Sequence, residues 1–195
     1  MAKKKRKINH DIKINFDHYS SLVSDRKTTQ SGILYLDIKK SNVEWKFANT
    51  STIHKTLPDA ILFYVESKIN NTQDFKFGLM SKDLTEQPFF RFDSDGAAHH
   101  NRDEDLALEM VLTPHFQKYS KNGISIAYQT EQLKSKTTCG TLKKDINLCM
   151  AHFCHESNTR YLDDDFPKVE MNYNKLNLIF PDEEDPLNGL FTKNE

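Results

Sequence analysis

The chain has 195 residues, of which 28% are charged and 11% aromatic, and a formal net charge of -1. Its mean hydropathy of -0.70 and the lack of any apolar run near the roughly 20 residues that span a bilayer argue against a membrane anchor. A basic start with no apolar stretch after it argues against a secretory leader. A soluble, cytoplasmic protein is expected, and three cysteines, an odd number without scaffold spacing, suit a reducing compartment.

In chain order, Lys3, Lys4, Lys5, Arg6 and Lys7 come first. This run can bind the phosphates of a nucleic acid, act as an import signal, or serve as a solvated terminus. It contributes five positive charges, so the rest of the chain stands at -6 against an overall -1. The acidic clusters Asp163-Asp164-Asp165 and Asp182-Glu183-Glu184-Asp185 repel nucleic-acid backbones and suit a basic partner. These features divide the chain into a flexible basic tail at 1–10, a single domain at 11–180 and an acidic tail at 181–195.

Period-two alternation follows the basic run. Val43 to Phe47 and Phe75 to Leu79 are the clearest half-buried strands. Gly32 to Ile38, Ala60 to Ser67, Pro88 to Asp93, Thr113 to Tyr119 and Ile124 to Gln129 read the same way, separated by turn-forming residues. Hairpin turns are expected at Asn70 to Gln73 and Ser120 to Gly123. From Thr141 to His155 the period changes to that of a helix, with Leu142, Ile146, Cys149, Met150 and Phe153 on one stripe and Thr141 as the cap. A further apolar segment runs from Leu176 to Phe180. The fold class is α+β, a mostly antiparallel sheet with at least one packing helix and, given 13 Phe and 7 Tyr, an aromatic core.

The chemistry gathers in Phe90-Arg91-Phe92-Asp93-Ser94-Asp95-Gly96-Ala97-Ala98-His99-His100-Asn101 and in Thr113-Pro114-His115-Phe116-Gln117-Lys118-Tyr119. If Phe90 and Phe92 point inward, Arg91 and Asp93 share the other face. His99 and Asn101 share a face of the next segment, and His115, Gln117 and Tyr119 share one of theirs, which makes His99 and His115 the natural pair. Three readings are open. His99 and His115 with Asp93, Asp95 or a distant cysteine could hold Zn²⁺. The same histidines could act as general acid and base, with Arg91 stabilising a developing anion. Or they occupy a hydrophilic loop and cap its turn. In Cys149-Met150-Ala151-His152-Phe153-Cys154-His155 the ligand-type side chains spread around a helix, Cys154 roughly 140° from Cys149, so the run does not converge on a metal.

Arg91, Asp93, Gly96, His99 and Asn101, with Pro114, His115, Tyr119, Ala127, Tyr128 and Cys154, resemble an uncharacterised family of small bacterial and phage proteins. That family carries an R-x-D-x-x-G-x-x-H-x-N turn and a P-H strand; Gln117 stands where its pattern has a second strand histidine. A more distant similarity connects these elements to small toxins of toxin-antitoxin pairs. The resemblance implies a role in phage and mobile-element conflict. One expectation is a protein that binds and inhibits a host nucleic-acid machine in the manner of an anti-CRISPR. Its partner would be a basic protein or ribonucleoprotein such as a CRISPR effector. The alternative is a toxin-like nuclease acting on RNA or DNA through His99, His115, Arg91 and Asp93.

Overall fold

The computed structural model describes residues 7–54, 61–103 and 108–171. The basic residues Lys3 to Arg6, the apolar segment Leu176 to Phe180 and the acidic run Asp182 to Asp185 lie outside the described residues. Two helices, α1 (His10–Ile14) and α2 (Phe16–Ser24), lead into β1 (Lys27–Thr29), β2 (Ile33–Ile38), β3 (Trp45–His54), β4 (Ile61–Lys68), β5 (Phe75–Ser81) and β6 (Phe90–Asp93). A short pair, β7 (His99–His100) and β8 (Met110–Val111), precedes β9 (His115–Tyr119) and β10 (Ser125–Tyr128). Then come α3 (Glu131–Lys134), α4 (Lys136–Leu142), α5 (Ile146–Glu156), β11 (Thr159–Tyr161) and β12 (Lys168–Met171).

The main sheet runs β10-β9-β6-β5-β4-β3-β1-β11, with β2 also on β3 and β12 on β2. The pairs β1/β11 and β2/β12 are parallel and the other strand pairs antiparallel, so the expected α+β class holds. Strand β3 runs on past Phe47 to His54. Its inward positions there are Thr50, Thr52 and His54, which are buried although polar, so the backbone alternates where the apolar pattern has faded.

One face of the sheet is covered with phenylalanine. Phe63, Phe77, Phe90 and Phe116 come from β4, β5, β6 and β9, and the Phe153 ring of α5 lies 5.5, 5.6, 5.4 and 6.4 Å from their centroids. Such offset or tilted ring pairs contribute beyond the area they bury. The helical stretch expected at Thr141 to His155 is divided. Thr141 lies inside α4, bonding Thr137 O, and the cap of α5 is Asp145, whose Oδ1 accepts from Asn147 N and Leu148 N at 2.8 and 3.3 Å. A carboxylate at this position also meets the positive end of the helix dipole. Cys154 is as buried as Cys149, because α5 packs against β5, β11 and β12 and is covered on more than one side.

The amino-terminal segment belongs to the fold further back than the 1–10 tail allows. Ile8 bridges to Ile124, Asn9 N donates to Gly123 O at 2.7 Å, and Asn9 Oδ1 caps α1 by accepting from Ile12 N at 3.0 Å. Gly123 has φ +70, and a β-carbon there would run into Asn9 O, so the hairpin turn and the docked segment both need glycine. At the other end of the helix pair, Lys27 is fully buried. Its Nζ donates to Leu22 O, Val23 O and Asp25 O at 2.7, 3.0 and 2.7 Å, closing the carboxyl end of α2, where a cation is favoured. Burial pushes the Lys27 ammonium down to about 7, with Asp25 opposing.

Removing the ring that joins helix to sheet leaves a void lined by four strands. Phe153→Ala is expected to lower unfolding stability by about 3–5 kcal/mol, read from urea titration. A loss under about 1 kcal/mol, the scale of an ordinary surface change, would show that Phe153 does not hold the two layers together.

Candidate functional site

With the phenylalanines facing the core, alternation sends Arg91 and Asp93 of β6 to the opposite face, as the sequence implies. The register places Arg91 across from Gln117 and Asp93 across from His115 on β9. Asp93 Oδ2 receives Arg91 Nε and Nη2 at 3.0 and 2.8 Å and Gln117 Nε2 at 2.6 Å. The Gln117 amide also donates to His115 Nε2 at 2.9 Å. That assignment fits the other side of the ring: His115 Nδ1 faces Leu112 O at 3.3 Å, a carbonyl that can only accept, so Nδ1 carries the proton and Nε2 the lone pair. The imidazole approaches Asp93 Oδ2 at 3.6 Å, beyond hydrogen-bond range, and Gln117 is the link between them.

Asp93 is 5% exposed. Burial works against its charge, but the polar and charged side chains around it, Arg91 and Lys76 among them, outweigh burial and hold the carboxyl below its ordinary range. Its second oxygen, Oδ1, is buried without a hydrogen-bond partner.

His99 reaches the site from β7, with its ring centroid 6.1 Å from that of His115 and the planes at 71°. The expected pair is therefore brought together. His99 Nε2 donates to Ser125 O at 3.1 Å, which leaves Nδ1 as the acceptor in the neutral ring. Burial lowers its pKa, with the Ser125 bond opposing and His115 and Arg91 adding to the effect. Asn101 continues along the same face: Nδ2 donates to Ala127 O at 2.9 Å and Oδ1 accepts from Ala127 N at 2.7 Å. One side chain thus satisfies both backbone groups of a β10 residue, as a neighbouring strand would. His100 is exposed on the other side. Asp95 sits on the turn with Gly96, whose φ is +118, outside this network.

Beside the network a groove of about 600 Å³ runs between the docked amino terminus and the sheet, lined by Lys7, Asn9, Arg91, Gln117 and Tyr119 among others. Arg91 and Gln117 are the network members that line it, the Arg91 side chain 34% exposed. His115, at 1%, lies beneath. Among the described residues no group of three or more His, Cys, Asp and Glu side chains is placed to hold a metal ion. The two nitrogens of His115 are already occupied by Leu112 and Gln117.

Tyr64 lies outside the chemistry-bearing motifs, and Gln117 lies inside one without an assigned role. The signal for Gln117 was its place in the P-H strand, two residues after His115, the spacing that puts both on one face. Tyr64 stacks on Phe47 at 6.3 Å and lies over Gly78, where a β-carbon would strike its ring, so the glycine gives the aromatic its seat.

No family model matches the chain, and neither a curated protein nor a solved structure matches it significantly. No helix among the described residues is long and apolar enough to cross a membrane.

Asp93 generates a pH dependence. Its folded pKa lies below the ordinary 3.8, so the stability it contributes is present above that value and is lost as pH falls through the depressed one. Wild-type stability should therefore fall more steeply below about pH 4 than that of Asp93→Asn, measured by urea unfolding between pH 2 and 6. Parallel curves would remove the assignment of an ionised, network-held Asp93.

Proposed function

We propose that this protein acts by binding rather than by turnover, and that the Asp93 network is a rigid frame for a binding face. The observation that carries the reading is the state of His115: it is 1% exposed and its two nitrogens are engaged by Leu112 and Gln117. A general base must reach the proton it abstracts directly or through one water, and a buried ring locked at both nitrogens does not meet substrate. Arg91 is oriented by Asp93 through two donors, an arrangement that fixes a guanidinium at a surface for recognition.

The partner class that fits is a host ribonucleoprotein or basic protein, such as a CRISPR effector, inhibited in phage and mobile-element conflict. Two features support it: the resemblance of the motif residues to those of small phage and bacterial proteins, and the acidic run Asp182 to Asp185. Basic and acidic side chains balance among the described residues, and the remaining residues hold seven basic and eight acidic ones, so the charge that would attract such a partner is the local acidic run and not a net excess.

Purified protein incubated with RNA, single-stranded DNA and duplex DNA, with and without divalent metals, should leave each intact. A purified CRISPR effector should retain it in a complex that weakens as salt rises. Cleavage that disappears in His99→Ala would replace the binding reading with the toxin-like nuclease, since His99 is the half-buried histidine of the pair.

A further inference from the structure

The face of the sheet that carries Arg91 continues away from the histidines across β5, β4, β3 and β2. There it changes character. Trp45 and Phe47 of β3 lie on this face together with Lys68 and Glu66 of β4 and Lys76 of β5, as the register requires. Lys76 Nζ stands 4.9 Å from the Trp45 ring centroid and Lys68 Nζ 6.0 Å, while Lys39 Nζ lies 5.6 Å from Phe47. Tyr35 of β2, on the same side and 52% exposed, borders a groove of about 560 Å³ with Phe47, Lys39, Lys40 and Asn49. Phe47 stacks on the buried Tyr64 below it, which holds its ring in place.

We infer that this aromatic and cationic stretch, Tyr35, Phe47 and Trp45 flanked by Lys40 and Lys76, is a platform for single-stranded nucleic acid. The chemistry favours that occupant. Flat rings presented on a sheet accept unpaired bases of any sequence by stacking, and flanking ammonium groups accept the phosphates between them. Two of the carboxylates beside the rings are neutralised within the fold, Glu66 by Lys39 and Asp74 by Lys68, while Asp37, across from Phe47, borders the same groove. Lys40 is exposed at the rim, and Lys76 lies over Trp45 rather than in an ion pair. A duplex buries its base faces and offers nothing for the rings to stack on. The inference rests on the binding reading above, and it names the strand of a ribonucleoprotein target as what this face would hold.

Trp45 is the chain's only tryptophan, so its fluorescence reports on the platform alone. The test titrates full-length protein with a 12-residue oligo(U), the same length of oligo(dT), a duplex of equal length and a lysine oligopeptide. A companion variant carries Lys3, Lys4, Lys5 and Arg6 as Gln. Single strands should quench Trp45 saturably in both proteins, with the duplex at least tenfold weaker. Phe47→Ala should weaken single-strand binding about tenfold, the scale of one lost base stack. Lys76→Glu at a half-buried position and Lys40→Glu at an exposed one, both on the face away from the phenylalanine core, should each weaken it and flatten its salt dependence. Retained affinity in both lysine variants would overturn the proposal. So would binding lost with the Gln replacements, duplex binding as tight as single-strand binding, or quenching by the lysine peptide alone. Failure here with retention of the effector intact would leave the binding reading standing and move its contact elsewhere.

Discussion

The arrangement of this protein depends on the insertion of Phe153 among rings from four strands. A single helix of eleven residues meets the sheet through that ring, and every strand it touches must then turn its phenylalanines toward it. Because side chains alternate, committing one face of β4, β5, β6 and β9 to aromatic packing hands the opposite face to Tyr64, Gly78, Arg91, Asp93, His115 and Gln117. The polar network and the aromatic stretch are thus two parts of one face, produced by the same constraint that builds the core. Rigidity passes in the same direction: Asp93 and Arg91 sit between residues locked in the core, so their geometry is fixed by packing.

What was legible in the sequence follows from this. The strands whose inward positions are Phe, Val and Leu announced themselves, and the co-facial placement of Arg91 with Asp93 and the meeting of His99 with His115 followed from period-two reasoning. The second half of β3 was hidden because Thr50, Thr52 and His54 fill inward positions with polar atoms. Helices α1 and α2 were missed for another reason. His10 to Ile14 is too short to show a period, and α2 is fixed by tertiary contacts such as Tyr19, which donates to Phe89 O at 3.2 Å and accepts from Tyr119 N at 2.7 Å. Strands β11 and β12 are three and four residues long and exist through parallel pairing with β1 and β2, a long-range partnership that local pattern does not encode. The shared face of Gln117 and His115 was legible from alternation, but the bond of Gln117 to Asp93 was not, because it depends on the long-range pairing of β6 with β9.

The network also explains why a histidine cluster need not signal chemistry. A base is useful when its lone pair faces the reacting atom, and here the lone pair of His115 faces an amide. Two donors from Gln117, one to a carboxylate and one to an imidazole, convert a set of titratable groups into a scaffold whose members satisfy one another. The oxygen left over, Asp93 Oδ1, is the uncompensated point of that scaffold. Electrostatics elsewhere are similarly settled within the fold, with Lys27 spent on the end of α2 and Arg26 holding Asp164 at 3.2 Å.

Asn101 has a consequence for how molecules of this protein meet one another. A terminal strand of a sheet ordinarily offers its free amides and carbonyls to any extended chain nearby, which is how sheets fuse between molecules. At Ala127 both groups are taken by one side-chain amide, and the neighbouring carbonyl of Ser125 is taken by His99, so β10 has little left with which to recruit a strand. The turn that carries these two residues therefore caps that edge of the sheet, removing the backbone groups to which a strand of a second molecule would add.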